Sequence, residues 1–132
     1  MTTLLLDTHV LLRWIERSKR LPVNQHRAIN RAAASACVRV SDISLWEIGM
    51  LVEDGKIELK LPLGEWLTRA TATPRVQRVG ITPEVVAEMV SLSTTYAWDS
   101  ADRILVATAR VLGATLVTAD ARILDSGLAP TL

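Results

Sequence analysis

The chain has 132 residues, 49% of them hydrophobic, with 15 Lys and Arg against 14 Asp and Glu. That length predicts a single domain over residues 1–132 with a real core, and the near-neutral balance excludes the strongly basic profile of many nucleic-acid binders. No apolar run approaches the roughly 18 residues of a membrane span, no secretory pattern opens the chain, and the lone Cys37 leaves no internal disulfide, so a cytoplasmic protein with no membrane role is expected.

Thr3 to Leu6 reads as a short buried strand. From Thr8 to Arg17 the apolar residues Val10, Leu11, Trp14 and Ile15 fall at helical spacing. After Pro22, the Ala-rich stretch Val23 to Ser35 predicts a second helix, and Ala36 to Val40 a strand in which Cys37 is a small buried hydrophobe. Ser41 or Asp42 caps a third helix through about Glu53, closed by Gly55. Ile57 to Leu61 alternates weakly, as a brief strand or turn. Pro62 opens a helix from Leu63 to about Thr71.

Beyond Pro74, Val76 to Ile81 alternates like a strand. Thr82-Pro83-Glu84 is a helix start, with Thr as N-cap and Pro at the first helical position, and this helix runs to about Ser93. Asp99 to Leu112 is the longest clean helix, closed by Gly113. Thr115 to Thr118 is a strand, Asp120 follows it, and Ala121 to Asp125 is a short helix. Strands alternating with helices predict an α/β fold, a three-layer α/β/α sandwich with a central parallel sheet. In such sheets, sites form beyond the carboxyl ends of the strands.

Four acids hold informative positions. Asp7 follows the first strand, and Asp120 follows the last in LVTAD. Glu47 lies in ISLWEIGML, and Asp102 lies one turn into the longest helix in WDSADRILVATA. Each has a plain structural reading: Asp7 and Asp120 as helix N-caps, Glu47 as an exposed helix position, Asp99 and Asp102 as a capping pair. Taken together they predict a shared rim. Two acids at strand ends and two near helix starts converge there in a parallel α/β fold. Clustered carboxylates repel unless a proton or a cation intervenes, and hard divalent cations take oxygen ligands. Mg²⁺ or Mn²⁺ held this way polarises a phosphodiester and lowers the pKa of an attacking water.

With those residues in view, the chain resembles a PIN-domain ribonuclease, of the VapC toxin type found in type II toxin–antitoxin pairs. The resemblance covers nearly the whole chain and rests on LLLDTHVLLRW, SDISLWEIGML, WDSADRILVATA and LVTAD together. It implies RNA hydrolysis at a Mg²⁺ (or Mn²⁺) site formed by Asp7, Glu47, Asp102 and Asp120. Asp7 and Asp102 are the firmest ligands by this likeness, and Asp120 is the most variable in role. Asp99 matches a frequent extra acid and Thr118 a recurrent small hydroxyl, both supporting. Relatives often carry Pro-Phe between the two acids where this chain has Ser100-Ala101. A homodimer and a cognate antitoxin are also implied. Such an antitoxin would lay an apolar helix on the toxin and push a basic side chain into the acidic site. Trp14, Leu51, Val52 and Trp66 are compatible with that contact, but their first reading is core.

Thr8 and Ser44 are weaker candidates for orienting a carboxylate, with local hydrogen bonding as the simpler role. His9 reads as packing or support beside the site, and His26 as an isolated exposed residue. Other site chemistries fail on residues. A receiver domain needs paired acids after the first strand and a late Lys, yet the lysines are 19, 56 and 60 only. A haloacid-dehalogenase-type phosphatase needs DxD, and His9 stands at the second acid. The remaining alternative is a catalytically silent PIN-like binding or scaffold module, which needs no metal.

Overall fold

The computed structural model describes residues 2–92 and 99–132. Four strands, β1 (Leu4–Leu6), β2 (Val38–Ser41), β3 (Val76–Val79) and β4 (Thr115–Val117), form one sheet in the order β3-β2-β1-β4. Every pairing is parallel, with Leu4 opposite both Val38 and Thr115. The helices are α1 (Thr8–Ile15), α2 (Val23–Ala34), α3 (Asp42–Glu53), α4 (Leu63–Ala70), α5 (Pro83–Ser91), α6 (Ser100–Leu112) and α7 (Ala121–Ser126).

Alternation along the strands builds two cores. Leu4 and Leu6 join Val38, Val40 and Val76 under α1, α2, α3 and α4, where Val10, Ile29, Ile48 and Trp66 pack. Leu5 points to the opposite face and meets Leu116, with Val85, Leu105, Val106 and Ile123 from α5, α6 and α7 above it. A strand buried on both faces cannot carry polar residues on either, which is why β1 reads LLL with no break. The three-layer arrangement with a parallel sheet follows as expected.

Several boundaries differ. Ile57 to Leu61 forms no strand. Nor is it a turn: Ile57, Leu59 and Leu61 lay their side chains on the first core from an irregular segment, so the alternation reflects burial alone. α1 stops at Ile15, two residues short of Arg17, which takes a left-handed conformation at φ 53°. There the Ser18 N–H reaches back to the Arg13 carbonyl at 2.9 Å. β2 begins later than Ala36, which sits at φ 56°, and runs on through Ser41, whose hydroxyl then caps α3. The expected end of α5 near Ser93 lies outside the described residues. An unforeseen contact closes the fourth strand's outer edge: Leu116 N–H donates to the Pro130 carbonyl at 2.8 Å and Leu132 N–H to the Leu116 carbonyl at 3.0 Å.

Candidate active site

Asp7 and Asp120 stand at the carboxyl ends of the two adjacent strands β1 and β4, and the Asp7 N–H donates to the Val117 carbonyl at 3.1 Å. Each also caps the helix that follows. Asp7 Oδ1 accepts from the Val10 N–H at 2.8 Å, and Asp120 Oδ1 from the Arg122 N–H at 2.9 Å. The capping and the site readings are therefore both true of the same residues. A carboxylate has two oxygens, and capping uses one.

Asp7 Oδ2 accepts from the Thr118 hydroxyl at 2.5 Å, and the Thr118 oxygen in turn accepts from the Asp120 N–H at 3.0 Å. Thr118 is 1% exposed, so one buried hydroxyl ties the two strand-end acids together. Glu47, on α3, accepts at Oε1 from the Thr8 hydroxyl at 2.6 Å, and Thr8 Oγ1 lies 3.1 Å from Ser44 Oγ. Thr8 and Ser44 are both buried. Of the two hydroxyls given the weaker claim in sequence, Thr8 contacts an acid directly and Ser44 stands behind Thr8.

Asp7, Glu47, Asp102 and Asp120 line one cavity of about 230 Å³, together with Thr8, His9, Arg13, Leu105 and Ala119. Asp99 is outside that lining. It is exposed and caps α6, accepting from the Asp102 N–H at 2.9 Å. A larger cavity of about 590 Å³ is lined by Arg17, His26, Arg69 and Arg75 among others, with no acid. Its chemistry is wrong for a cation, and it begins at the far end of α1 from Asp7.

The charges in the acid cavity press on one another. Burial, helped by the nearby Asp99 and Asp120 carboxylates, pushes Asp102 up to about 7, although the Arg122 guanidinium opposes the shift. Burial also raises Glu47, against the bond from Thr8 and with the repulsion of Asp99 and Asp7. Asp120 moves the other way, chiefly because Arg122 donates to it. Arg122 Nη2 lies 3.2 Å from Asp102 Oδ2 and 3.1 Å from Asp120 Oδ2. Sequence reading passed over this residue and Arg13. The available signals were Arg122's place two residues after Asp120 and the four-residue spacing of Arg13 from His9 on α1.

A model of the PIN domain family matches residues 4–126. The chain belongs to the PIN domain family. This PIN chain is 40% identical over 123 residues to Ribonuclease VapC22 of Mycobacterium tuberculosis, covering 93% of this chain and 91% of that protein. Its fold is similar to a chain of VapBC2 from Rickettsia felis bound to a promoter DNA fragment, with a TM-score of 0.73, 16% identity, and 98% and 97% of the two chains covered. A chain of DNA-bound VapBC from Salmonella typhimurium gives a TM-score of 0.71 at 15% identity, over 100% and 98%.

The donor set fits a hard divalent cation in kind. Four carboxylates face one cavity with hydroxyls behind two of them, and burial, with neighbouring carboxylates adding to it, lifts two of the four. The acids are not drawn together around a centre, however. Among the described residues no three His, Cys, Asp or Glu side chains are close enough to hold an ion. Positive charge comes from Arg13 on the cavity lining and from the Arg122 guanidinium, which stands outside that lining between Asp102 and Asp120.

Proposed function

We propose that this PIN chain is a divalent-metal-dependent endoribonuclease that acts as the toxin of a cytoplasmic toxin–antitoxin pair. The observation that carries the reading is that four separate elements bring Asp7, Glu47, Asp102 and Asp120 to one cavity. The likeness to Ribonuclease VapC22 supports RNA as substrate, and the likeness to VapBC complexes supports an antitoxin partner. No helix among the described residues is long and apolar enough to cross a membrane.

The four acids would hold Mg²⁺ or Mn²⁺, which supplies Lewis-acid polarisation of the phosphodiester and lowers the pKa of the attacking water. The chain's own groups do the positioning. Thr118 fixes one oxygen of Asp7, and Thr8 fixes one oxygen of Glu47. Asp102, whose carboxyl burial pushes up to about 7, would give up its proton more readily beside a cation. Arg13 and His9 on the cavity wall offer donors to a phosphate of the RNA strand, for which the guanidinium fork is well shaped. A scaffold module would need none of this, and no feature of the cavity favours it.

The test is cleavage of a total-RNA pool by the purified chain with Mg²⁺, with Mn²⁺ and with EDTA, beside Asp7→Asn. Cuts that need the metal are expected, and the variant should lose at least about 100-fold in rate while keeping its helical circular dichroism. Undiminished cutting by the variant at saturating Mg²⁺ would overturn the assignment.

A further inference from the structure

Asp7 and Glu47 are held by neutral donors. A backbone N–H and a threonine hydroxyl bind Asp7, and a second threonine hydroxyl binds Glu47. Such bonds orient a carboxylate and leave its charge in place. Asp102 and Asp120 differ. One nitrogen of Arg122, Nη2, bridges them at 3.2 and 3.1 Å, and Nε stands 3.4 Å from Asp120 Oδ1. The sequence imposes this position. Arg122 is the second residue of α7, and its N–H is held by the capping oxygen of Asp120 at 2.9 Å. The turn that sets Asp120 at the rim of the sheet therefore also brings Arg122 beside it.

We propose that Arg122 is a resident counter-ion of the acid cavity, which a divalent cation must displace from Asp102 and Asp120 in order to bind. The inference rests on the metal-dependent reading above. It follows from competition for the same atoms: both oxygens of Asp120 and one of the two oxygens of Asp102 face Arg122, and a hard cation takes carboxylate oxygens. The Arg122 side chain is 55% exposed, so its long stem has water to turn into. Arg122 thus lets the acids stay assembled before metal arrives and sets how much metal is needed. It is a positioning residue for the metal site.

The experiment measures Mn²⁺ binding by the full chain without RNA, from the free Mn²⁺ signal in electron paramagnetic resonance. Wild type is compared with Arg122→Gln, which removes the charge, and Arg122→Lys, which keeps it. Arg122→Gln should bind Mn²⁺ roughly 3- to 10-fold more tightly, with Arg122→Lys much nearer wild type. A merely structural Arg122 would give unchanged or weaker binding in Arg122→Gln, and that result overturns the proposal. A second readout uses only wild-type protein and so does not depend on the variants folding. The Arg122 Nε–H resonance should shift on Mg²⁺ titration along the same saturation curve as Mg²⁺ binding, and a resonance that stays fixed while Mg²⁺ saturates also overturns it. The two readings fail separately. Wild type that takes up no Mn²⁺ removes the metal site itself, whereas wild type that binds with Arg122→Gln no tighter removes only the counter-ion.

Discussion

Asp7 shows how one side chain can serve fold and site together. Its Oδ1 satisfies an orphan N–H of α1, a cap worth about 1 kcal/mol, and its Oδ2 is held by Thr118. Thr118→Val keeps the shape and removes the hydroxyl that contacts both Asp7 and the Asp120 N–H. Metal-dependent cleavage of the RNA pool should fall roughly 10- to 100-fold, as for other groups that orient a metal ligand, with the melting temperature changed far less. Full activity in Thr118→Val would reduce Thr118 to packing. Asp102 carries a separate consequence. Its carboxyl is pushed up to about 7, against about 3.9 in an unfolded chain. Between those values the folded, metal-free chain keeps a proton that the unfolded chain has lost. Its stabilising contribution is therefore complete below the unfolded value and is lost as pH rises through about 7. Glu47, also raised, adds in the same direction, while the lowered Asp120 acts oppositely only at more acidic pH. In EDTA, thermal melting should occur at a higher temperature near pH 5.5 than near pH 7.5, and Asp102→Asn should flatten the difference. An equal or lower melting temperature at the acidic pH would contradict the burial of Asp102. At this scale the acids were legible because strand ends and helix starts are visible in sequence. Arg122 was passed over although its place two residues after Asp120 was visible, because spacing alone does not say that its guanidinium also reaches Asp102.

At the level of elements, β1 sits between β2 and β4, and everything in the site hangs on its register. Leu5 is fully buried in the core beneath α6, and its register partner Leu116 lies two residues before Thr118. Leu5→Ala should cost about 2–5 kcal/mol of stability, read as a lower urea midpoint with an unchanged slope. A loss under about 0.5 kcal/mol, the range of surface substitutions, would mean that the core closes differently. Strands and helices of this kind are easy to find in sequence, since LLL and the clean α6 pattern have few competing readings. The failures share a cause. Ile57, Leu59 and Leu61 alternate because they face a core, and periodicity records which side chains are buried without recording whether the backbone finds a strand partner. The bridge between Leu116 and Thr131 was equally invisible, because it joins two short segments whose pairing is decided by the packing of α7 between them. The left-handed residues Arg17 and Ala36 shortened α1 and delayed β2, and neither residue type announces such a turn.

Across the whole molecule, both layers of helices leave some apolar side chains uncovered. Trp14 and Trp66 are core, at 8% and 6% exposure, as their first reading had it. Leu51 lies partly buried against them. Exposed apolar side chains are found on both layers: Ile15, Val23 and Trp46 on α1, α2 and α3, and a further group on α5 and α6. On α5, Val86 and Val90 stand one turn apart and are 43% and 68% exposed, and Val111 and Leu112 at the end of α6 are 42% and 40% exposed. α5 and α6 pack on the same side of the sheet, so these side chains belong to the layer opposite α1 and α2. Two valines at i and i+4 form the stripe that a helix offers to another helix, and a second copy meeting this face through α5 would bury each pair against its equivalent, as two-fold symmetry requires. The homodimer expected for this chain is therefore predicted to use α5. Light scattering after size-exclusion chromatography should give the mass of two chains at concentrations of about 10–100 µM, corresponding to a dissociation constant in the micromolar range or below. Val90→Asp should shift the mass toward one chain without altering the circular dichroism, because the substituted position is already at the surface and touches neither core. A wild type that elutes as one chain at the top of that range would remove the dimer. A dimer untouched by Val90→Asp would move its interface to another face of the molecule.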